Sequence, residues 1–370
     1  MNTSPERSRN LRIAFILCEN IDRETGVLKK MAMQMRYWKT KGHVVKLFVA
    51  AQSDRRWEGL ADIDVDITVI TKFSDKWDRN LLYKKIQPWT PDMLYLRYSW
   101  LYSFISKLIS RYPSIMEINS DDYSEMKISE LKRGAIFKYM YYRLTRNRLY
   151  RHMVGFVYLT DELKQKLSKY NKPGVVISNG IDIDKFDMLP ATGNKHHVLF
   201  FMGTSKQPWH GVDKIVTMAN RFPEWEFELV GFAADDIDAA PPKNMRFHGF
   251  LNYKDYIRIL STSDIAIGTL ALHRKNMNEA SPLKVRECLA CGLPVIIGYK
   301  DTDFPDGAPF LLQLPNTETN VGDNLDAIDK FVLAWNGKRV EAKYISNLNL
   351  DIKEDERLAF FQKIIKLRVE

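Results

Sequence analysis

The hydrophobic positions of this chain form short continuous runs that alternate with runs spaced like one face of a helix. In the first half the pattern predicts strands over residues 11–17, 43–50, 92–96, 114–118, 153–159 and 174–178, and helices over 25–39 and 161–168. In the second half it predicts strands over 197–202, 225–230, 245–247, 265–268 and 294–297, and helices over 210–221, 253–261 and 281–290. Alternation of this kind is typical of parallel sheets covered by helices on both faces.

The alternation is interrupted once, where the periodicity is lost and Pro190 and Gly193 occur. We interpret residues 186–197 as a linker between two α/β domains, each a doubly wound, Rossmann-like parallel sheet, which face each other across a cleft. The expected domains cover residues 1–185 and 198–348, and a final helix over 349–370 is expected to pack on the first domain. Ligands of such sheets lie at the carboxyl ends of the strands.

Two glutamates bracket the most informative segment of the sequence. Ser281 and Pro282 are predicted as the N-cap and first residue of a helix that Gly292 ends, so Glu279 precedes the helix and Glu287 lies on its second turn. The free N–H groups of a helix N-terminus bind phosphate. A carboxylate on each side of such a site suits a sugar nucleotide, with one acid for sugar hydroxyls and the other for ribose. The alternative is an ordinary amphipathic helix with an acidic cap.

Two glycine-containing loops follow predicted strands. The first ends at Gly26, where the backbone could approach a ligand closely. The second runs from Gly203 to Gly211 and contains Lys206 and His210, so it could cradle a diphosphate; the alternative is a plain strand-to-helix turn. The sequence lacks the Gly-Lys-Ser/Thr ending of a P-loop and has no G-x-G-x-x-G, which disfavours ATPases and dehydrogenases.

Composition narrows the class of protein further. The chain has 370 residues, 45% of them hydrophobic, which is enough for two full cores and excludes a disordered protein. Three cysteines argue against a disulfide scaffold and favour a reducing cytoplasm, and the lone pair Cys288 and Cys291 is expected to pack within a helix. We expect neither a signal peptide nor a membrane span.

Metal chemistry is expected to be absent. Asp-x-Asp patterns occur at 62–66, 182–184 and 301–303, but their contexts favour a strand or turns over metal ligands. No H-E-x-x-H motif occurs, and no Ser, His and Asp set has a recognisable local context.

The net charge of +9 is concentrated in residues 127–153. This segment carries one acid, Glu130, against the basic residues Lys127, Lys132, Arg133, Lys138, Arg143, Arg146, Arg148 and Arg151. Helical spacing places on one face the apolar residues Ile136, Phe137, Met140, Tyr141 and Leu144. Such a helix either lies on an anionic membrane, with Lys138, Arg143, Arg146 and Arg148 facing it, or is a core helix whose outer face is basic.

Taken in order, these motifs resemble those of the retaining glycosyltransferases of the GT-B fold, a group that includes bacterial mannosyl- and glucosyltransferases of surface-glycan assembly. The resemblance covers nearly the whole chain and rests on Gly26, Glu117-Ile-Asn119 and residues 95–99, 175–186, 203–213, 247–249, 279–287 and 292–296. It implies that Glu279 binds the donor sugar and supports positive charge at the reacting carbon, and that Glu287 binds ribose.

The resemblance also implies a donor site made of Gly26, Gly203, Lys206, His210, Ser281, Leu283, Lys284 and Glu287. The sequence departs from the family in two places. Thr204 and His210 stand where an arginine and a lysine are usual, so Lys206, Lys284 or Arg274 would supply the positive charge for the diphosphate. Asn119 stands where a catalytic-site histidine is common, which keeps hydrogen bonding but not acid–base chemistry.

The expected activity is transfer of a sugar from a nucleotide diphosphate sugar to a hydroxyl of a glycan or lipid-linked acceptor, without a metal, by a cytoplasmic enzyme that is peripheral on the membrane. The alternative enzyme on the same fold is a sugar-nucleotide epimerase or a phosphorylase. A nucleic-acid-binding protein is indicated only by the charge, and no motif supports nucleic acid as a partner.

Overall fold

The structure is a computed structural model that describes residues 9–97, 100–128, 135–237 and 240–369. Tyr98 and Ser99 of the motif at 95–99, and Glu130, Lys132 and Arg133 of the basic segment, lie outside the described residues. The chain divides into two compact units, one made of Met1–Ile177 with Lys353–Glu370 and the other of Ser178–Ile352. The chain therefore passes into the second unit upstream of the segment 186–197.

The first unit contains a seven-stranded parallel sheet. Its strands are β1 (Arg12–Leu17), β2 (Val44–Ala51), β3 (Val65–Val69), β4 (Met93–Arg97), β5 (Ser114–Ile118), β6 (Gly155–Tyr158) and β7 (Gly174–Val176), in the order β3-β2-β1-β4-β5-β6-β7. Its helices are α1 (Gly26–Thr40), α2 (Tyr83–Trp89), α3 (Ser103–Arg111), α4 (Asp122–Met126), α5 (Ile136–His152) and α6 (Asp161–Leu167).

The second unit contains a six-stranded parallel sheet and a small two-stranded one. The larger sheet has β8 (Val198–Met202), β9 (Glu226–Val230), β10 (Met245–Phe247), β11 (Ile265–Ile267), β13 (Val295–Ile297) and β15 (Leu311–Gln313), in the order β10-β9-β8-β11-β13-β15. The small sheet pairs β12 (Glu279–Ala280) with β14 (Lys300–Asp301). The helices are α7 (Val212–Arg221), α8 (Tyr253–Ser261), α9 (Leu283–Ala290) and α10 (Leu325–Trp335).

Both large sheets change direction of strand order once, between β1 and β4 in the first unit and between β8 and β11 in the second. All of their strand pairs are parallel, as the alternating pattern predicted. The prediction of two Rossmann-like α/β sheets is confirmed. Ligands of open parallel sheets bind where the strand order reverses, just beyond the carboxyl ends of the strands, so each unit has one place to search for a site.

Aromatic packing organises the core of the first unit. Thr25 caps α1 by accepting the N–H of Leu28 at 3.2 Å, which fixes where the helix starts. The helix then buries Trp38 against the sheet, where its ring lies 6.2 Å from that of Phe15 and 5.4 Å from that of Tyr95. Three buried rings of this size account for much of the apolar area that holds α1 on the sheet.

The last helix, α11 (Leu350–Val369), contributes charged groups to the core of the first unit. Arg357 is fully buried and donates to Glu117 at 3.1 Å and to Glu354, while Glu354 also accepts from Trp38 at 2.8 Å. Burial alone would raise the pKa of Glu117, but Lys30 and Arg357 outweigh it and hold the pKa below its usual range. Buried charges persist only when they are paired in this way.

Cys288 and Cys291 are both buried and unbridged, as expected for packing residues of α9 and its end. Across the described ranges, none of the helices combines the length and the apolar character needed to cross a bilayer.

Candidate functional site

Four adjacent strands of the larger sheet in the second unit are each followed directly by a glycine: Gly203 after β8, Gly231 after β9, Gly268 after β11 and Gly298 after β13. Gly231 has a φ of +88°, and a Cβ there would lie 1.9 Å from the carbonyl oxygen of Gly203. The loops after β8 and β9 therefore pack backbone against backbone, next to the switch point between β8 and β11. The repeat of a strand followed by a glycine is visible in the sequence, but of these four glycines only Gly203 was predicted to belong to the site.

The loop from Gly203 to Gly211 folds back on itself. Lys206 adopts a left-handed backbone conformation with φ of +63° and is exposed to solvent. A 3-10 turn then brings His210 back to the start of the loop, where its Nε2 lies 3.3 Å from the backbone N of Thr204. Gly211, with φ of +72°, starts α7. The loop is thus a folded cradle at a helix N-terminus, and an imidazole lies inside it.

Ser281 does not cap α9, so that prediction is wrong. The helix begins at Leu283, and the N-cap residue is Pro282, which makes no side-chain cap. The Ser281 hydroxyl instead accepts the backbone N–H of Asn179 at 2.9 Å and an N–H of Arg286 at 3.0 Å. Because both donors already occupy the hydroxyl, it joins two segments of the second unit rather than capping its own helix.

The first turn of α9 leaves backbone donors available. The N–H groups of Val285 and Arg286 both point to the carbonyl of Pro282, at 3.1 and 3.3 Å. In the described part of the chain, the N–H groups of Leu283 and Lys284 have no such partner. Two amides at a helix start are the groups that bind an oxyanion.

A buried arginine holds this end of α9 in place. Arg286 is fully buried and donates to both oxygens of Asp301, at 2.6 and 2.8 Å, and to Asp303. Asp303 also accepts from Ser178 at 2.6 Å. The Asp-x-Asp pattern at 301–303 is therefore the counter-charge of an arginine. Nowhere in the described ranges do three or more His, Cys, Asp or Glu side chains form a group that could hold a metal ion.

Lys284 is the basic residue that lies within the cradle. Its Nζ is 3.4 Å from His210 Nδ1 and 4.3 Å from the ring centroid of Phe201. Arg274 instead binds Asp213 in bidentate fashion, at 2.8 and 2.7 Å, and also pairs with Glu318. The sequence left open which of three basic residues would bind the diphosphate. Arg274 already pairs with two carboxylates and Lys206 is exposed, whereas Lys284 faces the imidazole of His210.

The two glutamates of the motif have different surroundings. Glu287 is buried on α9 and accepts a 2.5 Å hydrogen bond from the hydroxyl of Tyr256 on α8, a contact that the sequence analysis missed. Glu279 is half-buried on β12, in parallel register with Lys300 of β14. One carboxylate therefore has a fixed orientation and the other is more accessible to solvent.

The first unit has a cavity of about 210 Å³ at its own switch point. The carboxyl ends of three strands line it, with Leu17, Cys18 and Glu19 from β1, Arg97 from β4, and Ile118, Asn119 and Ser120 from β5. The helices contribute Val27, Asp122, Glu125 and Tyr150. Its walls are rich in hydrogen-bonding groups, which suits a polar ligand. Gly26 is the exposed first residue of α1, next to Val27.

Asn119 in this cavity is oriented by a buried ion pair. Its Oδ1 accepts from Lys30 Nζ at 3.2 Å, and its Nδ2 donates to Glu117 at 3.3 Å. Lys30 and Glu117 are themselves 2.8 Å apart. Burial lowers the pKa of Lys30 to about 8, although Glu117 opposes the shift. The amide of Asn119 is thus held in one orientation, with the oxygen towards the lysine.

The apolar stripe of α5 faces outwards, so these side chains are not packed in the core. The exposed fractions of Phe137 and Leu144 are 87% and 77%, and Ile136 and Met140 are also exposed. Tyr141 is half-buried and donates to the carbonyl of Leu101 at 2.6 Å. Exposed apolar side chains in a row are typical of a surface that meets a partner.

Arg146 does not belong to this exposed surface, so the prediction is wrong for this residue. Lys138, Arg143 and Arg148 are exposed. Arg146 is instead largely buried and holds Asp122 through two hydrogen bonds of 2.7 Å. Its position on the inner side of α5 follows from the helical period, because it lies two residues beyond the exposed Leu144.

Comparison with known proteins agrees with this architecture. Residues 212–314, in the second unit, match the family described as glycosyl transferase-like. The sequence matches none of the curated proteins with which it was compared.

Several solved structures share the fold over the whole chain. Sucrose-phosphate synthase from Thermosynechococcus elongatus aligns with a TM-score of 0.72 at 11% identity, covering 96% of this chain and all of that one. A glycosyltransferase from Rickettsia africae aligns with a TM-score of 0.69 at 14% identity, covering 97% and 100%. Anabaena Alr3699/HepE, solved in complex with UDP and glucose, aligns with a TM-score of 0.64 at 14% identity, covering 94% and 99%. At these identities the likeness establishes the fold, which is GT-B.

Proposed function

We propose that this glycosyltransferase, whose family domain covers residues 212–314, transfers a sugar unit from a nucleotide diphosphate sugar to a hydroxyl group of its acceptor, with retention of configuration at the anomeric carbon. The acceptor in this proposal is a glycan or lipid-linked precursor of surface-glycan synthesis.

The observation that carries the proposal is the arrangement at the carboxyl end of the second sheet. The cradle that begins at Gly203 and the first turn of α9 are joined there by the contact between His210 and Lys284. Together they offer backbone N–H groups and one cation, which is what a diphosphate requires of a binding site. The Anabaena structure was solved in complex with UDP and glucose, and UDP contains such a diphosphate.

Glu287 and Glu279 give this site its selectivity in our proposal. Glu287 is held by Tyr256 and lies one turn beyond Lys284, where it would accept hydrogen bonds from ribose hydroxyls. Glu279, four residues ahead of α9, would accept from the donor sugar and stabilise positive charge at its anomeric carbon. Because no side chain is assigned as a nucleophile, retention would require the acceptor hydroxyl to attack the face of the anomeric carbon that the diphosphate leaves. The bond from that carbon to the acceptor oxygen would form as its bond to the phosphate oxygen breaks, and the leaving diphosphate would take the hydroxyl proton.

The proposal is tested by a thermal-shift screen of the full chain with UDP-glucose, UDP-galactose, GDP-mannose and ADP-glucose. A ligand that binds only the folded state must raise the melting temperature. The best donor is then incubated with labelled sugar and a lipid-phosphate acceptor extract, and the product linkage is assigned by NMR. A β-linked product from an α-linked donor would contradict retention, and the absence of any nucleotide-sugar shift would contradict the donor site.

We expect donor turnover to survive chelation of divalent metals. Lys284, the α9 amides and the cradle supply positive potential for the diphosphate, so the leaving group is stabilised by the protein itself. The measurement compares initial rates after dialysis against EDTA with rates after added Mg²⁺ or Mn²⁺. A loss of rate that either metal restores would show that the diphosphate needs a cation which these residues do not replace.

A membrane-bound acceptor is favoured by the outward face of α5 in the first unit. Helical spacing places Met140, Leu144 and Arg148 in one row, with the exposed apolar ring of Phe137 beside them. The neighbouring turn Phe73–Trp77 extends the surface, since the Trp77 ring lies 5.9 Å from that of Tyr141 and Phe73 is 73% exposed. Apolar side chains among arginines match an anionic lipid interface.

We expect the protein to sediment with phosphatidylglycerol vesicles at low salt and much less with phosphatidylcholine vesicles. Phe137→Ser with Leu144→Ser should reduce binding through lost insertion, and Arg143→Glu with Arg148→Glu should reduce it more than tenfold, at about 1 kcal/mol for each charge removed. The matched control, Arg221→Glu with Lys330→Glu, changes the same charge at exposed positions of the second unit. Equal losses in both charge variants would mean that net charge, and not this surface, attracts the protein.

A further inference from the structure

The surroundings of Lys284 do not favour a positive charge on its side chain. Its Nζ is enclosed between the ring of Phe201, at 4.3 Å, and the imidazole of His210, at 3.4 Å. In the described part of the chain no carboxylate lies within ion-pair distance of this nitrogen. The residue is half-buried, and an ammonium group that is partly removed from water without a counter-ion is costly, whereas a neutral amine is not.

The hydrogen bonds of His210 indicate which of the two forms is present. A backbone N–H can only donate, so the ring nitrogen Nε2, 3.3 Å from the backbone N of Thr204, is the acceptor. A neutral imidazole then carries its hydrogen on Nδ1, the nitrogen that faces Lys284. That hydrogen can be donated to a neutral amine but not to an ammonium group. The geometry of the cradle therefore fits a neutral Lys284.

The groups around this pair reinforce the same protonation state. Burial lowers the pKa of Lys284 to about 7, with only the Cys288 thiol opposing the shift. Burial also lowers the pKa of His210 well below its ordinary value, and the nearby charges of Lys284 and Lys275 add to the effect. Lys275 stands over the ring of Trp209, at 4.8 Å, on the other side of the cradle. Burial raises the pKa of Cys288, so its thiol stays neutral and offers no negative charge.

We propose that binding of the donor diphosphate is coupled to the uptake of one proton by the pair of Lys284 and His210. This proposal rests on the proposed function, because it assumes a diphosphate at this cradle. A dianionic ligand stabilises the ammonium form of Lys284, which then donates to His210 Nδ1. The imidazole changes tautomer, so that Nε2–H and the backbone N–H of Thr204 both become donors to the ligand. One proton thus converts a loop whose hydrogen bonds are internally satisfied into an anion-binding site.

The sign of the linkage follows from which state binds the proton. Below about pH 7, Lys284 is already charged in the free protein and binding exchanges no proton. Above that pH the free protein must take up a proton to bind, so donor affinity falls as pH rises, by at most about tenfold per pH unit. The diphosphate of a nucleotide sugar is a diester and stays fully ionised throughout this range, so the ligand does not contribute to the exchange.

The test is calorimetric titration of the full chain with the tightest binder among UDP-glucose, UDP-galactose, GDP-mannose and ADP-glucose. At about pH 8, binding enthalpies in buffers of different ionisation enthalpy should give an uptake of close to one proton, which should vanish at about pH 6. Lys284→Arg keeps the charge at all these pH values, so it should bind without proton uptake and with an affinity that changes less than about twofold with pH.

Lys206→Met is the control, because it removes a lysine from the loop that carries His210, and it should retain the proton uptake whatever its affinity. Donor binding by the unmodified protein without proton exchange at about pH 8 would overturn the coupling and leave the proposed function intact. Persistence of the uptake in Lys284→Arg would also overturn it, because another group would then titrate. If none of the four nucleotide sugars binds, the proposed function fails and the coupling fails with it.

Discussion

Replacing Glu279 with glutamine should lower kcat by about 10²- to 10³-fold while changing the donor KM by less than about twofold. Glutamine keeps the shape and the hydrogen-bond acceptor of the side chain, so the ground-state contact to a sugar hydroxyl survives. The negative charge is lost, and that charge matters most when positive charge develops at the anomeric carbon. Initial-rate kinetics with the donor identified in the thermal-shift screen give the two constants separately.

The comparison variant for this experiment is Glu287→Gln. Its carboxylate is held by Tyr256, away from the reacting carbon in our proposal, so its loss should weaken donor binding and raise KM more than it lowers kcat. An unchanged thermal shift with the donor would verify that Glu279→Gln is folded and occupied. A rise in donor KM without loss of kcat in Glu279→Gln would limit this residue to ground-state binding.

A second large effect is expected for the stability of the second unit. Arg286→Met should lower the free energy of unfolding by about 3–5 kcal/mol, because it leaves Asp301 and Asp303 buried without their counter-charge. Methionine fills similar volume, so the loss measures the uncompensated charge rather than a cavity. Urea unfolding, followed by tryptophan fluorescence of the full chain, should show an earlier transition for the second unit, with donor binding lost at lower temperature.

The matched control is Arg274→Met, which removes another arginine bound to two carboxylates in the same unit. Its partners Asp213 and Glu318 are more than half exposed, at 57% and 61% of their side-chain surface. Solvent screens such pairs, so the control should cost no more than about 1 kcal/mol. If both variants lost the same stability, the effect of Arg286 would have to come from its packing against α9 and not from burial of its charge.

The parts of the fold that follow from the period of hydrophobic residues could be predicted from the sequence. Strand β5 was predicted with the bounds that the structure has, Ser114–Ile118, and the buried strands around it differ at their ends by one or two residues. All five residues of β5 are buried, as expected for a central strand of a parallel sheet. The edge strand β3 was harder to recognise, because its residues are only partly covered and their pattern is mixed.

The errors at the site arise where a polar side chain had a choice of partners. Ser281 precedes a helix, as N-cap residues do, but Asn179 lies 102 positions away in the sequence and still takes its hydroxyl. Arg146 counted as one more charge of a basic segment, although Asp122 binds it from α4. Local sequence lists the groups that can form such bonds; only the tertiary structure selects one partner for each group.

The chain leaves the first unit at Ile177 and returns to it at Lys353, so the second unit is inserted in the first. A ribosome that has finished β7 has made every strand of the first sheet, yet Glu354 and Arg357, which complete the buried hydrogen-bond network of its core, are still about 175 codons away. At a synthesis rate of roughly 5–20 residues per second, Glu117 and Lys30 remain without these two residues for on the order of ten seconds or longer. The second unit, whose sequence is continuous, can fold during that interval. Synthesis therefore favours completion of the second unit first, and the first unit completes its core only after the last helix has been made.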